Sequence, residues 1–319
     1  MSFIIHAISS YIPDFSRYWV QAQKKTSIET VIIPGKTVDI IVPERALTIG
    51  SLQIRQKSSE IDLKEIFSMS KKIIEVWSKL GITDFLNFRQ ISELSTYKVE
   101  MVPFSKNSWA FWQQLKVLWR VTLGGVYVSQ SDKESIIKNF QENENYLSSQ
   151  PRSRKTLSKK DAFCSQDITE KQLVFKGKSI NILYDYAPIG LEKLHILFVP
   201  KKHREKFSDI TEEEFLETSD LSQKLVNFYK NKAYSQQDFA VYIFDKTGTL
   251  AGQTVPHWHQ HHVFTTTKIQ GIWGKLTILK NMIFGSSPLK PEELNAKVKQ
   301  LREDFKNLSK KTENLSQVA

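Results

Sequence analysis

Three histidines at alternate positions are the feature that most constrains how this chain folds. His257, His259 and His261 stand in the run His-Trp-His-Gln-His. A period of two is that of an extended strand, in which alternate side chains share one face at intervals of about 7 Å. We therefore predict a strand over 254–264. A single histidine on such a face is usually an interior residue, but three together predict a functional site.

Two kinds of chemistry are open to three imidazoles on one face. Neutral histidine is a common transition-metal ligand, although no carboxylate lies near this segment in the sequence to complete a metal site. An imidazole nitrogen can also attack phosphorus and give a phosphoramidate that water later opens. Neighbouring histidines would then orient the nucleophile and protonate the leaving group.

Helix signals come in matching pairs in the two halves of the chain. Asp62–Glu65 resembles a helix start, and Gly81 follows the apolar face where a C-terminal cap is expected. In the second half, Thr211–Glu214 is the corresponding start. An extended apolar segment precedes each helix, at 50–57 and at 194–201.

The C-terminal segments of the two halves, at 112–124 and 273–285, also match in sequence at a constant spacing of 161 residues. The matched pairs are Trp112 with Trp273, Leu115 with Leu276, Leu118 with Leu279, and Gly124 with Gly285. This register predicts an internal duplication. It places Thr96, Lys98 and Glu100 at the triad positions of the first half, and none of these residues supplies an imidazole nucleophile.

Charge and composition favour an anionic partner. The formal net charge is +11, which attracts nucleotides or nucleic acid, although lysines also solubilise a surface. Residues 151–160 are strongly basic and lack apolar periodicity. We expect them to form a linker between residues 1–150 and 161–319.

The remaining composition fits a cytoplasmic protein. Cys164 is the single cysteine, so no intrachain disulfide forms, which fits a reducing compartment. The first residues contain no basic stretch, and we expect no secretory signal. Lys116 and Arg120 interrupt the most apolar segment, so we expect no membrane partner.

Residues 251–263, Ala-Gly-Gln-Thr-Val-Pro-His-Trp-His-Gln-His-His-Val, resemble the signature of the histidine-triad (HIT) superfamily. The Gly-Gln-Thr-Val residues before the histidines, at 252–255, most resemble the fragile-histidine-triad branch. The segments 183–188, 199–203 and 207–211 resemble three further motifs of the family in the same order. The resemblance implies an α+β fold, with a HIT-like antiparallel sheet and flanking helices. The catalytic domain would occupy 161–319, including a C-terminal helical extension.

The resemblance also implies roles for individual residues. His259 would attack the α-phosphate, His257 would orient it, and His261 would contact phosphate and assist the leaving group. His203 matches a histidine that supports the triad in the Hint branch, or is a surface residue at the end of a strand. The implied nucleotide-binding residues are Asp185 for the ribose, Leu183, Tyr186 and Phe163 for the base, and Gln253 and Thr254 for phosphate.

The implied activity is that of a nucleotide hydrolase or nucleotidyl transferase acting at an α-phosphate through a nucleotidyl-histidine intermediate. The substrate would be a purine nucleotide, either a dinucleoside polyphosphate or a nucleoside phosphoramidate, and no cofactor would be required. One alternative is a 5′-adenylated nucleic-acid hydrolase similar to the aprataxin branch, although one cysteine cannot build the zinc finger of that branch. Another is a nucleotide-binding regulator without catalysis.

The first half would be a degenerate HIT copy, and the chain a monomer with an internal pseudo-dimer. The two-copy arrangement of the galactose-1-phosphate uridylyltransferase branch is similar. An unrelated α/β domain over 1–150, or a homodimer, is the alternative. Gln260 and His262 depart from the apolar residues of the signature, which predicts a more exposed reverse face. The Asn or Gln expected before the Gly-Gln pair has no match, and Asp245 or Lys246 lies closest.

Overall fold

The computed structural model has an α+β fold built on one large antiparallel sheet. It describes residues 29–91, 97–106, 109–144, 161–190, 192–233, 239–266, 278, 280–282 and 285–316. The predicted basic linker at 151–160 lies outside these residues, as do Trp273, Leu276 and Leu279. Within the described ranges, no helix combines the length and apolarity needed to span a bilayer.

The two halves of the chain contain corresponding elements in the same order. The first half has strands β1 (Thr30–Ile33), β2 (Val38–Val42), β3 (Arg45–Ala46), β4 (Leu52–Gln56), β5 (Asp84–Ile91), β6 (Lys98–Phe104) and β7 (Val126–Tyr127), and helices α1 (Leu63–Lys79), α2 (Ala110–Leu123) and α3 (Gln130–Glu144). The second half has helix α4 (Gln166–Gln172), strands β8 (Leu173–Lys176), β9 (Ile180–Tyr184) and β10 (His195–Pro200), helix α5 (Glu212–Ala233), strands β11 (Phe239–Thr247) and β12 (Gln260–Thr266), and helix α6 (Pro291–Ser316). Short 3-10 turns lie at Ala162–Cys164 and Phe207–Asp209.

The order of the strands makes the duplication visible. The ten-stranded sheet runs β1-β2-β4-β6-β5-β11-β12-β10-β9-β8, so the second half repeats the order of the first in reverse. The halves join edge to edge where β5 and β11 pair antiparallel, with Phe88 opposite Phe244 at the centre of the register. Joining the edges in this way covers strand edges that would otherwise invite pairing with another chain. The predicted internal pseudo-dimer is confirmed.

A repeated turn supports the same conclusion at the level of side chains. Gly35-Lys36-Thr37 precedes β2, and Gly177-Lys178-Ser179 precedes β9. In the first turn, Glu65 of α1 accepts hydrogen bonds from both N–H groups after the glycine and from the threonine hydroxyl. In the second, Glu217 of α5 accepts the equivalent three bonds. One capping device therefore ties each central helix to its own half of the sheet.

The strand registers extend this match across the sheet. We aligned the two turns and followed the strand pairs outward, from β2 to β4 to β6 in the first half and from β9 to β10 to β12 in the second. In this alignment Glu100 occupies the position equivalent to His261. These two residues are 161 positions apart, the spacing expected from the C-terminal segments of the two halves. Gly124 and Gly285 also share a left-handed backbone conformation, with φ of 90° and 75°.

Predicted helix starts agree with the structure. Asp62 caps α1 by accepting from the backbone N–H groups of Lys64 and Glu65. Thr211 and Glu214 exchange side-chain-to-backbone hydrogen bonds at the start of α5, which is the capping box that the sequence indicates. These caps satisfy N–H groups that a helix leaves unpaired in its first turn.

The two faces of the sheet carry separate cores. One face packs against α1 and α5, with Trp258 and Phe207 among its buried residues, and continues below α6 around Phe264 and Phe305. The opposite face holds a smaller core that includes Phe244 and Val117 of α2. Side chains alternate between the two faces of β12. The triad therefore lies on the face of the sheet opposite to the core that α1, α5 and α6 cover.

Candidate functional site

The triad lies partly before β12 rather than within a long strand. The sequence predicts a strand from residue 254, but β12 begins at Gln260, and that prediction is wrong. His257 and His259 lie in the segment just before β12, and the Trp258 N–H of this segment donates to the Arg204 carbonyl oxygen at 2.5 Å. The segment contacts the loop after β10 in this way, whereas pairing between β12 and β11 stops at Asp245 and Gln260.

His259 is held with one ring nitrogen committed and the other available for attack. Its Nδ1 lies 2.7 Å from the carbonyl oxygen of His257, which can only accept, so Nδ1 carries the proton. Nε2 then carries a lone pair. Burial lowers the pKa of His259 to about 4, so the ring is neutral at physiological pH and its nucleophilic nitrogen is unprotonated.

His261 ends a chain of hydrogen-bonded side chains that starts at Asp185. The Nδ1 atom of His261 lies 2.9 Å from Nε2 of His195, and Nδ1 of His195 lies 2.9 Å from Oδ2 of Asp185. The Ile189 N–H also faces Nδ1 of His195, at 3.4 Å. The shorter carboxylate contact assigns a proton to that Nδ1. Nε2 of His195 is then the acceptor for His261, whose own Nε2 is left without a proton.

Burial also keeps His261 neutral. Loss of solvation lowers its pKa well below the ordinary value, and the neighbouring His259, His195 and Lys246 lower it further. The ring of Phe244 stacks on it, with 4.5 Å between centroids. The ring of His261 is thus fixed in orientation and in tautomer by the groups around it.

His257 belongs to a second cluster, in which it and Asp161 are buried, His203 is half-buried and Cys164 is exposed. Its Nε2 lies 3.0 Å from the carbonyl oxygen of Pro200, and its Nδ1 lies 3.2 Å from Oδ1 of Asp161. His203 contacts the same carboxylate through Nδ1 at 2.8 Å. The structure therefore places His203 beside His257 rather than leaving it apart as an ordinary surface residue.

The carboxylate of Asp161 is the centre of that cluster. The N–H groups of Phe163 and Cys164 donate to it at 2.7 and 3.0 Å, and the Cys164 thiol donates at 3.0 Å. Burial opposes ionisation, but the bonds from Cys164 and the nearby His257 lower the pKa of Asp161. Burial and this carboxylate raise the pKa of the Cys164 thiol to about 11.

The same four side chains offer a donor set that suits a metal ion. The ligand atoms of Asp161, Cys164, His203 and His257 all lie within 4.8 Å of one another. One sulfur, two imidazoles and a carboxylate are ligands that zinc accepts. A second group of close ligand atoms, from Asp185, His195 and His261, has no sulfur. Neither of these groups, found among the described residues, contains His259.

An apolar cluster lies beside the triad. Phe163 packs with the buried residues Leu183, Leu197 and Val199. Its ring also meets the ring of His259 edge-on at 5.0 Å between centroids. The structure thus brings Phe163 and Leu183 together where a base is expected. Tyr186, expected to join them, is 50% exposed and does not belong to this apolar cluster.

The predicted phosphate-contacting residues lie in the loop before the triad. The amide of Gln253 donates to the Glu205 carbonyl oxygen at 2.8 Å and accepts from the Gly248 N–H at 2.8 Å. Its side chain therefore holds the loop in shape. Thr254 is exposed beside it.

The reverse face of the triad segment is buried, which corrects the expectation of exposure. His262 has 0% exposure, and its Nε2 lies 2.7 Å from the hydroxyl of Ser222 on α5. Burial lowers its pKa to about 3. On the same face, burial raises the pKa of Asp245 to about 7, and Trp258 donates to its carboxylate at 3.0 Å. Partners on α5 and within the sheet make these polar positions tolerable.

Lys246, and not Asp245, shares the face of the triad. It alternates with Asp245 along β11 and lies two positions from Phe244, whose ring stacks on His261. Its Nζ lies 5.9 Å from the centroid of the Phe244 ring. Burial lowers the pKa of Lys246 to about 8, and its charge lowers the pKa of both His259 and His261.

Among the described residues of the first half, the positions equivalent to the triad hold no imidazole. Glu100, at the position of His261, is buried and accepts from the Leu47 N–H at 2.5 Å and from the Gln53 amide at 3.2 Å. Lys98 is exposed at the position of His259, and Thr96 lies outside the described residues. At the Glu100 position, strand β6 carries a carboxylate that anchors the loop at Leu47 instead of an imidazole nucleophile.

Sequence reasoning did not single out His195, Asp161 or Cys164 as members of the site. His195 is the first residue of the buried strand β10 and shares a face with Leu197 and Val199. A histidine within such an apolar segment could have indicated a residue of the site. The Asp-x-x-Cys spacing at 161–164 was another signal, but only the fold brings it next to His203 and His257.

Comparison with known proteins agrees with this geometry. The family model of the HIT domain matches residues 167–268, whereas no curated relative matches the sequence. An ADP-glucose phosphorylase from Arabidopsis thaliana with bound ADP-glucose is similar in structure, at 13% identity over 89% of this chain and 93% of that chain, with a TM-score of 0.49.

Two further solved structures are similar. A GalT-like protein from Arabidopsis thaliana has 12% identity over 87% of this chain and 88% of that chain, with a TM-score of 0.49. The diadenosine triphosphate hydrolase of Plasmodium falciparum has 16% identity over 43% of this chain and 78% of that chain, with a TM-score of 0.34. Residues 167–268 therefore match the HIT domain, and the triad of His257, His259 and His261 lies inside the matched segment.

Proposed function

We propose that this protein transfers a nucleotidyl group from a purine nucleotide to His259 and then to water or another acceptor. The observation that carries the proposal is the 2.7 Å contact between Nδ1 of His259 and the carbonyl oxygen of His257. Because that contact fixes the tautomer, Nε2 presents its lone pair without the help of a separate base.

The surrounding groups support such a reaction. The half-buried ring of Phe163, which packs on Leu183 and meets the ring of His259, offers an apolar surface for a base next to the nucleophile. Asp185, one step from the triad through His195, lies partly exposed where it can accept from ribose hydroxyls. The reaction itself requires no metal at His259, and a zinc ion at the Asp161 cluster would serve to orient His257.

Turnover assays with the full chain test the proposal. Diadenosine triphosphate, diadenosine tetraphosphate and adenosine 5′-phosphoramidate would be incubated with the wild type and with His259→Asn, and the release of AMP followed by chromatography. We expect cleavage by the wild type and a loss of about 10³-fold or more in the variant, as for other covalent nucleophiles. Equal activity of the two proteins would disprove the proposal.

Binding separates the enzyme from a regulator without catalysis. The His259→Asn variant is expected to bind the nucleotide substrates with nearly wild-type affinity in calorimetry, because asparagine keeps a polar, uncharged side chain at this position. Binding by both proteins with turnover by neither would favour the regulator. Adding long DNA tests the nucleic-acid alternative, which predicts strong competition with a steep salt dependence.

A further inference from the structure

The Lys246 ammonium lies on the triad face and has no part in the roles given above. It lies on β11, on the same face as Phe244 and the triad. Among the described residues, no carboxylate pairs with it, and its neighbours include Gln114 and Ala251. Lys246 is half-buried, and a cation that loses part of its solvation without a counter-charge is costly, so its position requires an explanation.

The triad itself gives a reason to look at the leaving group. Nδ1–H of His261 is directed to Nε2 of His195, which is the arrangement of a ring that carries its proton on Nδ1. Its Nε2 therefore has no proton to donate in the resting site. An amine leaving group must take up a proton as it departs, whereas a phosphate departs as a stable anion without one.

We propose that Lys246 contacts the leaving group, and that the preferred substrates are nucleotides whose α-phosphate is linked through oxygen to another phosphate. This inference rests on the proposed function, which supplies the nucleotidyl step. A dinucleoside polyphosphate belongs to this class, and a nucleoside phosphoramidate does not. Lys246 provides the counter-charge for the phosphate that leaves.

The bonds and protons balance without an added acid. The Nε2 lone pair of His259 forms the bond to the α-phosphorus, and the bond from phosphorus to the bridging oxygen breaks. The electron pair stays on that oxygen, which becomes a terminal oxygen of the departing phosphate beside the Lys246 ammonium. A water molecule then attacks the same phosphorus, the electron pair of the P–N bond returns to Nε2, and the proton of the water passes to solvent.

Charge at this position distinguishes the two substrate classes. The ammonium attracts a phosphate leaving group both when the substrate binds and when the P–O bond breaks. It offers nothing to a neutral amine and repels one that becomes protonated. Replacing Lys246 should therefore change the ratio of activities on the two classes, and not simply lower both.

The test uses two substrates with the same adenylyl group, diadenosine triphosphate and adenosine 5′-phosphoramidate. The values of kcat/KM would be measured for the wild type, Lys246→Gln and Lys246→Arg. We expect Lys246→Gln to lower kcat/KM on diadenosine triphosphate by at least about 10-fold more than on the phosphoramidate, as for loss of one donor to a developing oxyanion. Lys246→Arg, which keeps the charge, should restore most of the ratio.

A matched control and a second readout isolate the effect. Lys138→Gln removes one positive charge from an exposed site on α3 and should leave the ratio unchanged. In a His259→Asn background, calorimetry should show that Lys246→Gln weakens binding of diadenosine triphosphate by about 10-fold or more, again by loss of one charged contact. Thermal unfolding checks that the variants fold.

The outcomes separate this inference from the proposed function. If the wild type cleaves both substrates and Lys246→Gln lowers the two values of kcat/KM equally, the leaving-group role is wrong while the nucleotidyl-histidine function stands. A wild type that prefers the phosphoramidate would also overturn the inference. If the wild type cleaves neither substrate and His259 receives no nucleotidyl group, the proposed function is wrong and this inference falls with it.

Discussion

Nε2 of His195 lies 2.9 Å from Nδ1 of His261, and the other nitrogen of His195 lies 2.9 Å from the carboxylate of Asp185. The three side chains thus form one hydrogen-bonded chain that runs from the edge of the site to the last triad histidine. His195 has 1% exposure, so any change there acts on His261 rather than on solvent contacts.

Replacing His195 by asparagine should lower kcat more than it changes KM. The substitution breaks the chain that fixes the tautomer of His261, and groups that orient a catalytic histidine contribute at least about 10-fold to kcat. Steady-state kinetics on diadenosine triphosphate measures the effect. A change confined to KM would show that His195 acts in substrate binding instead. His195→Gln, which can place an acceptor nearer to His261, should lose less activity.

Acid should slow the nucleotidyl step by protonating His259. Burial lowers the pKa of His259 to about 4, so the fraction of molecules with an unprotonated nucleophile falls as the pH drops through that value. The rate of the nucleotidyl step should therefore be flat near neutral pH and fall below about pH 5. Rapid-quench measurements from pH 4 to pH 8 follow this step. A fall centred near pH 6.5, the ordinary pKa of histidine, would show that the ring is solvated.

Stability should also decline in acid, and His262 offers a clean test. Burial lowers its pKa to about 3, below its value in the unfolded chain, so the unfolded state binds more protons and stability falls as the pH decreases from about 6.5. In the first half, Met101 occupies the position that His262 occupies in the second. His262→Met should therefore fold and show a smaller drop in Tm between pH 7 and pH 5 than the wild type.

The outcome that would contradict this reasoning is an unchanged pH dependence of Tm in His262→Met. His257, His259 and His261 also have lowered pKa values, so part of the dependence should remain in the variant. Differential scanning calorimetry at several pH values separates the two contributions.

The twin caps make a further prediction about the fold. Glu65 and Glu217 each accept three hydrogen bonds from a Gly-Lys-Thr or Gly-Lys-Ser turn. Glu217→Ala and Glu65→Ala should each lower the free energy of unfolding by about 1–3 kcal/mol, because backbone N–H groups lose their acceptor. Urea denaturation measures the change. Glu142→Ala, on the exposed surface of α3, serves as a control and should change stability little.

Much of this architecture could be predicted from the sequence because it rests on local patterns. The capping residues Asp62 and Thr211 predict the starts of helices, and the alternation of His257, His259 and His261 predicts one functional face. Both signals involve residues within a few positions of each other. The register of 161 residues extended this reasoning to the whole chain, because a duplication repeats local patterns.

Features that depend on distant residues could not be predicted in the same way. His262 looked like a polar residue on an exposed face, but Ser222 of α5 supplies the partner that makes its burial tolerable. The strand was expected to begin at residue 254, but Trp258 bonds to the carbonyl of Arg204 instead of to β11. The pairing of His195 with His261 likewise arises only when β10 and β12 come together.

The central claim is that Nε2 of His259 becomes bonded to phosphorus, and trapping that bond tests it most directly. The wild type and His259→Asn would be mixed with diadenosine triphosphate in the presence of EDTA, quenched within milliseconds, and digested under conditions that preserve phosphoramidates. Mass spectrometry would then locate the adenylyl group. We expect an adenylylated peptide that contains His259 in the wild type, its absence in the variant, and no dependence on EDTA. Turnover without any such peptide, or an adduct that requires added zinc to form, would contradict the account.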